Sequence, residues 1–157
     1  MKDENNVPEG LLMSVAQFRD IMDARLPFAD LLGLKVDYFM SDHVRLHAEY
    51  SERFLRPGGT IAGPVMMGLA DAALYALVLS RIGPVELAVT TQLSINFLRK
   101  PAPGDVIADA KMLKLGKRLA VGEVSLFSAS EPSGEPVAHA TGTYSVSYTH
   151  LTLPTKA

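Results

Sequence analysis

Residues 58–80 read GGTIAGPVMMGLADAALYALVLS, and the fold turns on how this stretch is understood. Two glycines open it, a Gly63-Pro64 pair follows, and the remainder is apolar on nearly every helical face. That pattern predicts a glycine-rich loop leading into a buried helix rather than a surface one. Gly83 and Pro84 stop the run. One charge interrupts it: Asp71 is the only Asp, Glu, Lys or Arg between positions 58 and 80. A carboxylate in such a helix costs free energy unless it is paired, hydrogen-bonded or used chemically.

Working outward, Ser14 and Gln17 form a capping-box pattern for a short amphipathic helix, limited by Pro27, with a second turn over 28–32. Residues 34–40 and 44–50 carry β-branched and aromatic side chains around a Ser41-Asp42 turn, the pattern of a hairpin. Residues 51–59 read as a loop. Beyond the central helix the period changes, and 86–98, 105–115, 118–130 and 136–145 read as four strands separated by turn residues at 101–104, 116–117 and 131–134.

Short connections between consecutive strands imply antiparallel pairing, and an antiparallel sheet needs one covered face. The central helix is the obvious cover. The expectation is a single α+β domain over 13–145 behind a flexible leader, 1–12. Residues 146–157 are expected as a tail outside it. Val146 to Leu151 resembles one reading frame of the transposon-end adapter of sequencing libraries, which would make the tail non-native; the alternative is an ordinary polar extension.

The 157 residues suffice for one domain with a real core. Fifteen basic against seventeen acidic residues, a net charge of -2, exclude the usual basic nucleic-acid surface. Without cysteine there is no disulfide, thiolate nucleophile or cysteine metal site. His43, His47 and His139 lack metal-site spacing, so no metal is expected. Walker A, dinucleotide and GxSxG motifs are missing, and no cofactor is expected. The polar, acidic start is unlike a signal peptide, and Asp71 breaks the longest apolar run, so the reading is a soluble cytoplasmic protein with no membrane partner.

With Gly63 at the N-cap and Pro64 at N1, free N–H groups beside Gly63 would face outward with the positive end of the helix dipole behind them. They suit a polarised carbonyl oxygen or an oxyanion. The alternative is that Gly58, Gly59, Gly63 and Pro64 only shape a tight loop. Asp71, eight residues on, can border the same cleft as a general base toward water or as a nucleophile. Its alternative is a structural Asp bonded to nearby backbone or to Tyr75.

RPGGTIAGPVMMGLADAALYAL at 56–77 followed by AVTTQLSINFLRKPAPGD at 88–105 resembles the acyl-CoA thioesterases of the hotdog fold, in particular the phenylacetyl-CoA thioesterase (PaaI-like) family, over about 31–144. The resemblance implies a long antiparallel sheet curled around one central helix. It also implies homodimers or dimers of dimers with active sites between subunits, hydrolysing an acyl-CoA to a carboxylic acid and free coenzyme A.

It assigns the chemistry to Asp71 of one subunit and the Gly63 N–H of the other, assisted by a hydroxyl at Thr90 or Thr91. If Val89, Ile95 and Phe97 face the helix, alternation puts Thr91 with them and turns Thr90 away; both stay open. Substrate contacts are expected from Arg56, Gly59, Ala62, Pro64 and Met67. Lys114, Gly116, Lys117 and Arg118, together with Arg99 and Lys100, are candidates for the phosphates of coenzyme A.

The chain departs from the family motif at three points. Arg56 stands where Asn is common, Ala62 where His is, and Pro64 where a second Gly is. The lost His and Asn leave a non-catalytic acyl-CoA binder as the alternative function. The hotdog dehydratases need a His and an acid across the cleft, and no His lies between positions 48 and 138.

Overall fold

The computed structural model describes residues 3–146. Ser14 caps the first helix, α1 (Val15–Arg25), as its pattern predicts: its side chain accepts from the Gln17 N–H, and the Gln17 side chain accepts from the Ser14 N–H. Pro27 opens the short α2 (Pro27–Leu31). The hairpin follows as β1 (Leu34–Phe39) and β2 (Val44–Ala48).

The stretch 51–59 holds more structure than a loop. A 3₁₀ turn (Glu52–Phe54) leads into a two-residue strand, β3 (Leu55–Arg56), which pairs antiparallel with β4 (Thr60–Ile61). Gly58 and Gly59 both adopt positive φ in the connection, 97° and 76°, a conformation that costs side-chain-bearing residues steric energy. Strands this short carry no readable alternation, which is why composition alone suggests a loop.

The long helix α3 spans Gly63–Ile82 and ends at Gly83, φ 89°. Its N-cap is Ala62, one residue earlier than the sequence suggests, so Gly63 occupies N1 and Pro64 N2. Ala62 already has extended dihedrals, φ -67° and ψ 143°, leaving Gly63 as the first helical residue. Four strands complete the domain: β5 (Val89–Phe97), β6 (Val106–Leu115), β7 (Leu119–Ser128) and β8 (Ala138–Ser145).

Six strands form one antiparallel sheet in the order β1-β2-β6-β7-β8-β5. The helix α3 packs on β2, β5, β6, β7 and β8, so the sheet curls around it. Although α3 has the length and apolarity of a membrane span, Leu69, Ala73 and Leu77 are fully buried in the core. Helix α1 closes one side: the Phe18 ring lies 5.8 Å from Phe39 and 5.9 Å from Tyr75, a spacing at which aromatic edges and faces attract.

The segment before α1 touches this core. Leu11 is buried, the Leu12 N–H donates to the Ser80 carbonyl at 2.7 Å, the Ala16 N–H donates to the Glu4 carbonyl, and Glu4 pairs with Arg19. At the other end, the Val146 N–H donates to the Arg118 carbonyl at 2.9 Å. The remainder of the expected tail, 147–157, lies outside the described residues.

Candidate active site

Asp71 sits near the middle of α3, on the face turned toward β5 and β8. Two hydroxyls converge on one of its oxygens. Thr90 Oγ1 donates to Asp71 Oδ1 at 2.6 Å, and the Tyr144 hydroxyl donates to the same Oδ1 at 2.6 Å. The phenol also lies within donating range of the Asp71 main-chain carbonyl, at 2.9 Å. Thr90 and Tyr144 are register partners across β5 and β8, so one rung of the sheet supplies both donors.

Strict alternation would turn Thr90 away from the helix. A bulge between Thr90 and Gln92 breaks that alternation; such a break re-aims side chains. Thr91 then points elsewhere, and its hydroxyl donates to the Thr143 carbonyl at 3.2 Å. Tyr75, a possible partner of Asp71 by helical spacing, instead donates to the Glu86 carbonyl at 2.9 Å.

Burial pushes the Tyr144 phenol far above its ordinary range, the neighbouring Asp71 charge pushes it the same way, and the Thr90 hydroxyl works weakly against them. The phenol therefore stays a proton donor. Tyr75 is raised too, first by burial and then by the Glu86 charge.

Asp71 opens onto a cavity of about 320 Å³. Its walls are largely apolar, with Leu26, Phe28, Leu34, Ala72 and Val89 beside the rings of Tyr75 and Tyr144, and Arg25 and Glu86 at its rim. Those two form an ion pair at 3.7 Å. An apolar hollow with one held carboxylate is the usual shape of a small-molecule site.

Gly63 lies elsewhere. Eight residues at about 1.5 Å per residue put roughly 12 Å of helix axis between it and Asp71. It lines a second hollow of about 430 Å³ with Arg56, Met66, Phe97, Arg99 and Lys100. Being at N1, its N–H has no acceptor within the helix. Within one chain, then, the expected pair borders two hollows rather than one cleft.

The other expected contacts divide between these places. Arg56 joins Gly63, with Gly59 in the turn of the same small hairpin. Ala62 and Pro64 flank the helix start, and Met67 is 40 % exposed on α3. Gly116, Lys117 and Arg118 form the β6–β7 turn, closed by the Gly116 N–H donating to the Leu119 carbonyl at 2.8 Å, and Lys114 lies near the end of β6 beside it. They line neither hollow. The turn does stand at the sheet end where β5 begins, since Leu119 and Val89 both pair with Ser145.

Tyr144 is the residue that sequence reasoning missed. Its inward direction follows from the alternation Ala138, Ala140, Gly142, Tyr144, all buried, but its partner is 73 positions away. Among the described residues no group of three or more His, Cys, Asp or Glu side chains is arranged to hold a metal. His43, His47 and His139 instead bond to Asp42, Asp37 and Glu123.

The sequence profile of the thioesterase superfamily matches residues 58–135, from the small hairpin through β7. A crystal structure of a candidate thioesterase from Silicibacter sp. TM1040 is 40% identical, covering 88% of this chain and 96% of that one with a TM-score of 0.77. The chain belongs to the thioesterase superfamily. A variant of the phenylacetic acid degradation protein PaaI from Thermus thermophilus is 31% identical over 76% of this chain and 97% of its own, TM-score 0.65. An esterase candidate of Halobacterium salinarum is 32% identical over 71% of this chain and 77% of its own. The helix-wrapping sheet is thus the hotdog fold of PaaI-type thioesterases, and the family's chemistry is thioester hydrolysis.

Proposed function

We propose that this chain is a cytoplasmic acyl-CoA thioesterase that works as a homodimer or a dimer of dimers. The observation that carries the reading is the Asp71 carboxylate, held through Oδ1 by Thr90 and Tyr144 at an apolar cavity. In this reading the thioester carbonyl rests against the Gly63 N–H of one subunit and the Asp71 of the other. The helix-end donor stabilises the oxyanion as it forms.

Asp71 then acts in one of two ways. As a base it takes a proton from water while the water oxygen bonds to the carbonyl carbon; the C–S bond breaks, and the proton passes to the departing thiolate. As a nucleophile it forms a mixed anhydride with release of the coenzyme A thiol, and water hydrolyses the anhydride. Both routes consume one water and yield a carboxylic acid and free coenzyme A.

The two-subunit arrangement draws support from the separation of Gly63 and Asp71 along α3 and from β5. Among the described residues that strand is an edge of the sheet, bonded to β8 alone, with Val89 and Phe97 exposed. A long edge with exposed apolar residues invites pairing with another chain. Arg56, Arg99 and Lys100 around the Gly63 hollow supply positive charge for the phosphates of coenzyme A.

A second reading, an acyl-CoA binder without turnover, is favoured by Ala62, whose methyl group cannot hydrogen-bond where related motifs carry His. Purified protein with a panel of acyl-CoAs and a thiol-reactive dye separates the two. Thiol release that disappears in a folded Asp71→Ala variant supports the enzyme. A rise in melting temperature with acyl-CoA, and no thiol release from any member of the panel, supports the binder.

A further inference from the structure

We propose that Tyr144 is a positioning residue for the reaction: with Thr90 it fixes Oδ1 of Asp71, so that Oδ2 alone is presented to the substrate. The proposal deepens the thioesterase reading and rests on it. Three features lead there. Both donors approach the same oxygen at 2.6 Å, and among the described residues no hydrogen bond reaches Oδ2. A carboxylate held at one oxygen by two donors loses its freedom to turn about its terminal bond. The clamp also comes from one rigid place, since Thr90 and Tyr144 face each other across adjacent strands.

Tyr144 adds what Thr90 lacks. Its hydroxyl reaches both the side chain and the main-chain carbonyl of Asp71, tying the helix backbone and the carboxylate to one point on β8. The ring is 3 % exposed and packs 6.2 Å from the Tyr75 ring, so the hydroxyl has little room to wander. Because burial keeps the phenol protonated, it cannot compete with Asp71 as a base. Its part is to orient the carboxylate.

Tyr144→Phe keeps the ring and removes only the hydroxyl. With an acyl-CoA that the wild type hydrolyses, the expected result is a kcat lower on the order of tenfold to a hundredfold at nearly constant KM. A residue with only a structural role would lower the melting temperature and leave the kcat of the folded variant in place. Thr90→Val removes the other donor to Oδ1, and the two substitutions together cost less than the product of their separate effects, as expected for one shared acceptor.

Crystal structures of the wild type and of Tyr144→Phe give a readout independent of turnover. The expected result is an Asp71 carboxylate turned away from its wild-type orientation, or split between two. A wild-type kcat in Tyr144→Phe overturns the proposal even if thioesterase activity is strong. If the wild type hydrolyses no acyl-CoA, the thioesterase reading fails on its own, and an unturned carboxylate in the variant overturns the clamp.

Discussion

Gly122 on β7 lies directly opposite Gly142 on β8, beneath Leu74 of α3. A Cβ added at Gly142 would stand 2.5 Å from Leu74 Cδ1 and 3.2 Å from the Gln92 carbonyl oxygen; one at Gly122 would stand 2.8 Å from Leu74 Cδ2 and 3.1 Å from the Lys111 carbonyl oxygen. The paired hydrogens let the long helix settle onto the centre of the sheet. A methyl group at either position meets backbone as well as a side chain, and rotamer changes relieve only the second. Gly142→Ala is expected to cost about 1–3 kcal/mol of stability, the usual cost of overfilling a packed core, measured by urea unfolding. An unchanged midpoint would show that the helix rides higher than its contacts imply.

The Gly142 position also marks where sequence reading ends. The order of elements is legible because each has its own period: helical spacing in 14–26, near-continuous apolarity in 63–82, and turn residues between the later strands. Asp71 stands out because it alone breaks the apolar run. Long-range partners leave no such mark. Nothing local in the sequence says that Tyr144 meets Asp71, or that Gly142 is small for the sake of Leu74. The Thr90 and Thr91 ambiguity has a different cause, because a bulge changes which side chains share a face without changing composition.

The bulge makes the two threonines separable by experiment. Thr90 donates to Asp71, whereas Thr91 donates to a main-chain carbonyl on the partly exposed outer side. Thr90→Val is expected to lower kcat on the order of tenfold through a less well oriented carboxylate. Thr91→Val should stay within about twofold, as exposed substitutions commonly do. Steady-state kinetics on the two purified variants decide it, and a larger loss at Thr91 would reassign the hydroxyl.

Alkaline stability reports on the buried phenol. In the unfolded chain Tyr144 loses its proton at about pH 10, whereas in the folded chain burial and the Asp71 charge hold the proton to much higher pH. Above about pH 10 the folded state therefore binds more protons than the unfolded one, so stability is intact below that pH and falls as pH rises. Tyr144→Phe removes this titration. Its melting temperature should decline less steeply than that of the wild type between about pH 9.5 and 11. Parallel curves would mean that the phenol reaches water.

The separation of Gly63 from Asp71 predicts complementation between damaged chains. Gly63→Pro removes the N1 donor; Ala62 already has φ -67° and ψ 143°, the conformation that a residue before proline prefers, while position 63, helical and itself followed by Pro64, takes up some strain, so folding of the variant is checked first by circular dichroism. A Cβ there stands 3.2 Å from the end of the Phe97 ring, a side chain that can give by a few tenths of an ångström. Asp71→Asn removes the acid without changing shape. Each variant alone should be nearly inactive. After mixing, unfolding and refolding together, half of the dimers are heterodimers, and each heterodimer regains one intact site of two. Activity should then return to about one quarter of wild type if the two groups act across a twofold interface. If both groups served one site within a single chain, every site in the mixture would stay defective and activity would remain at the level of the separate variants.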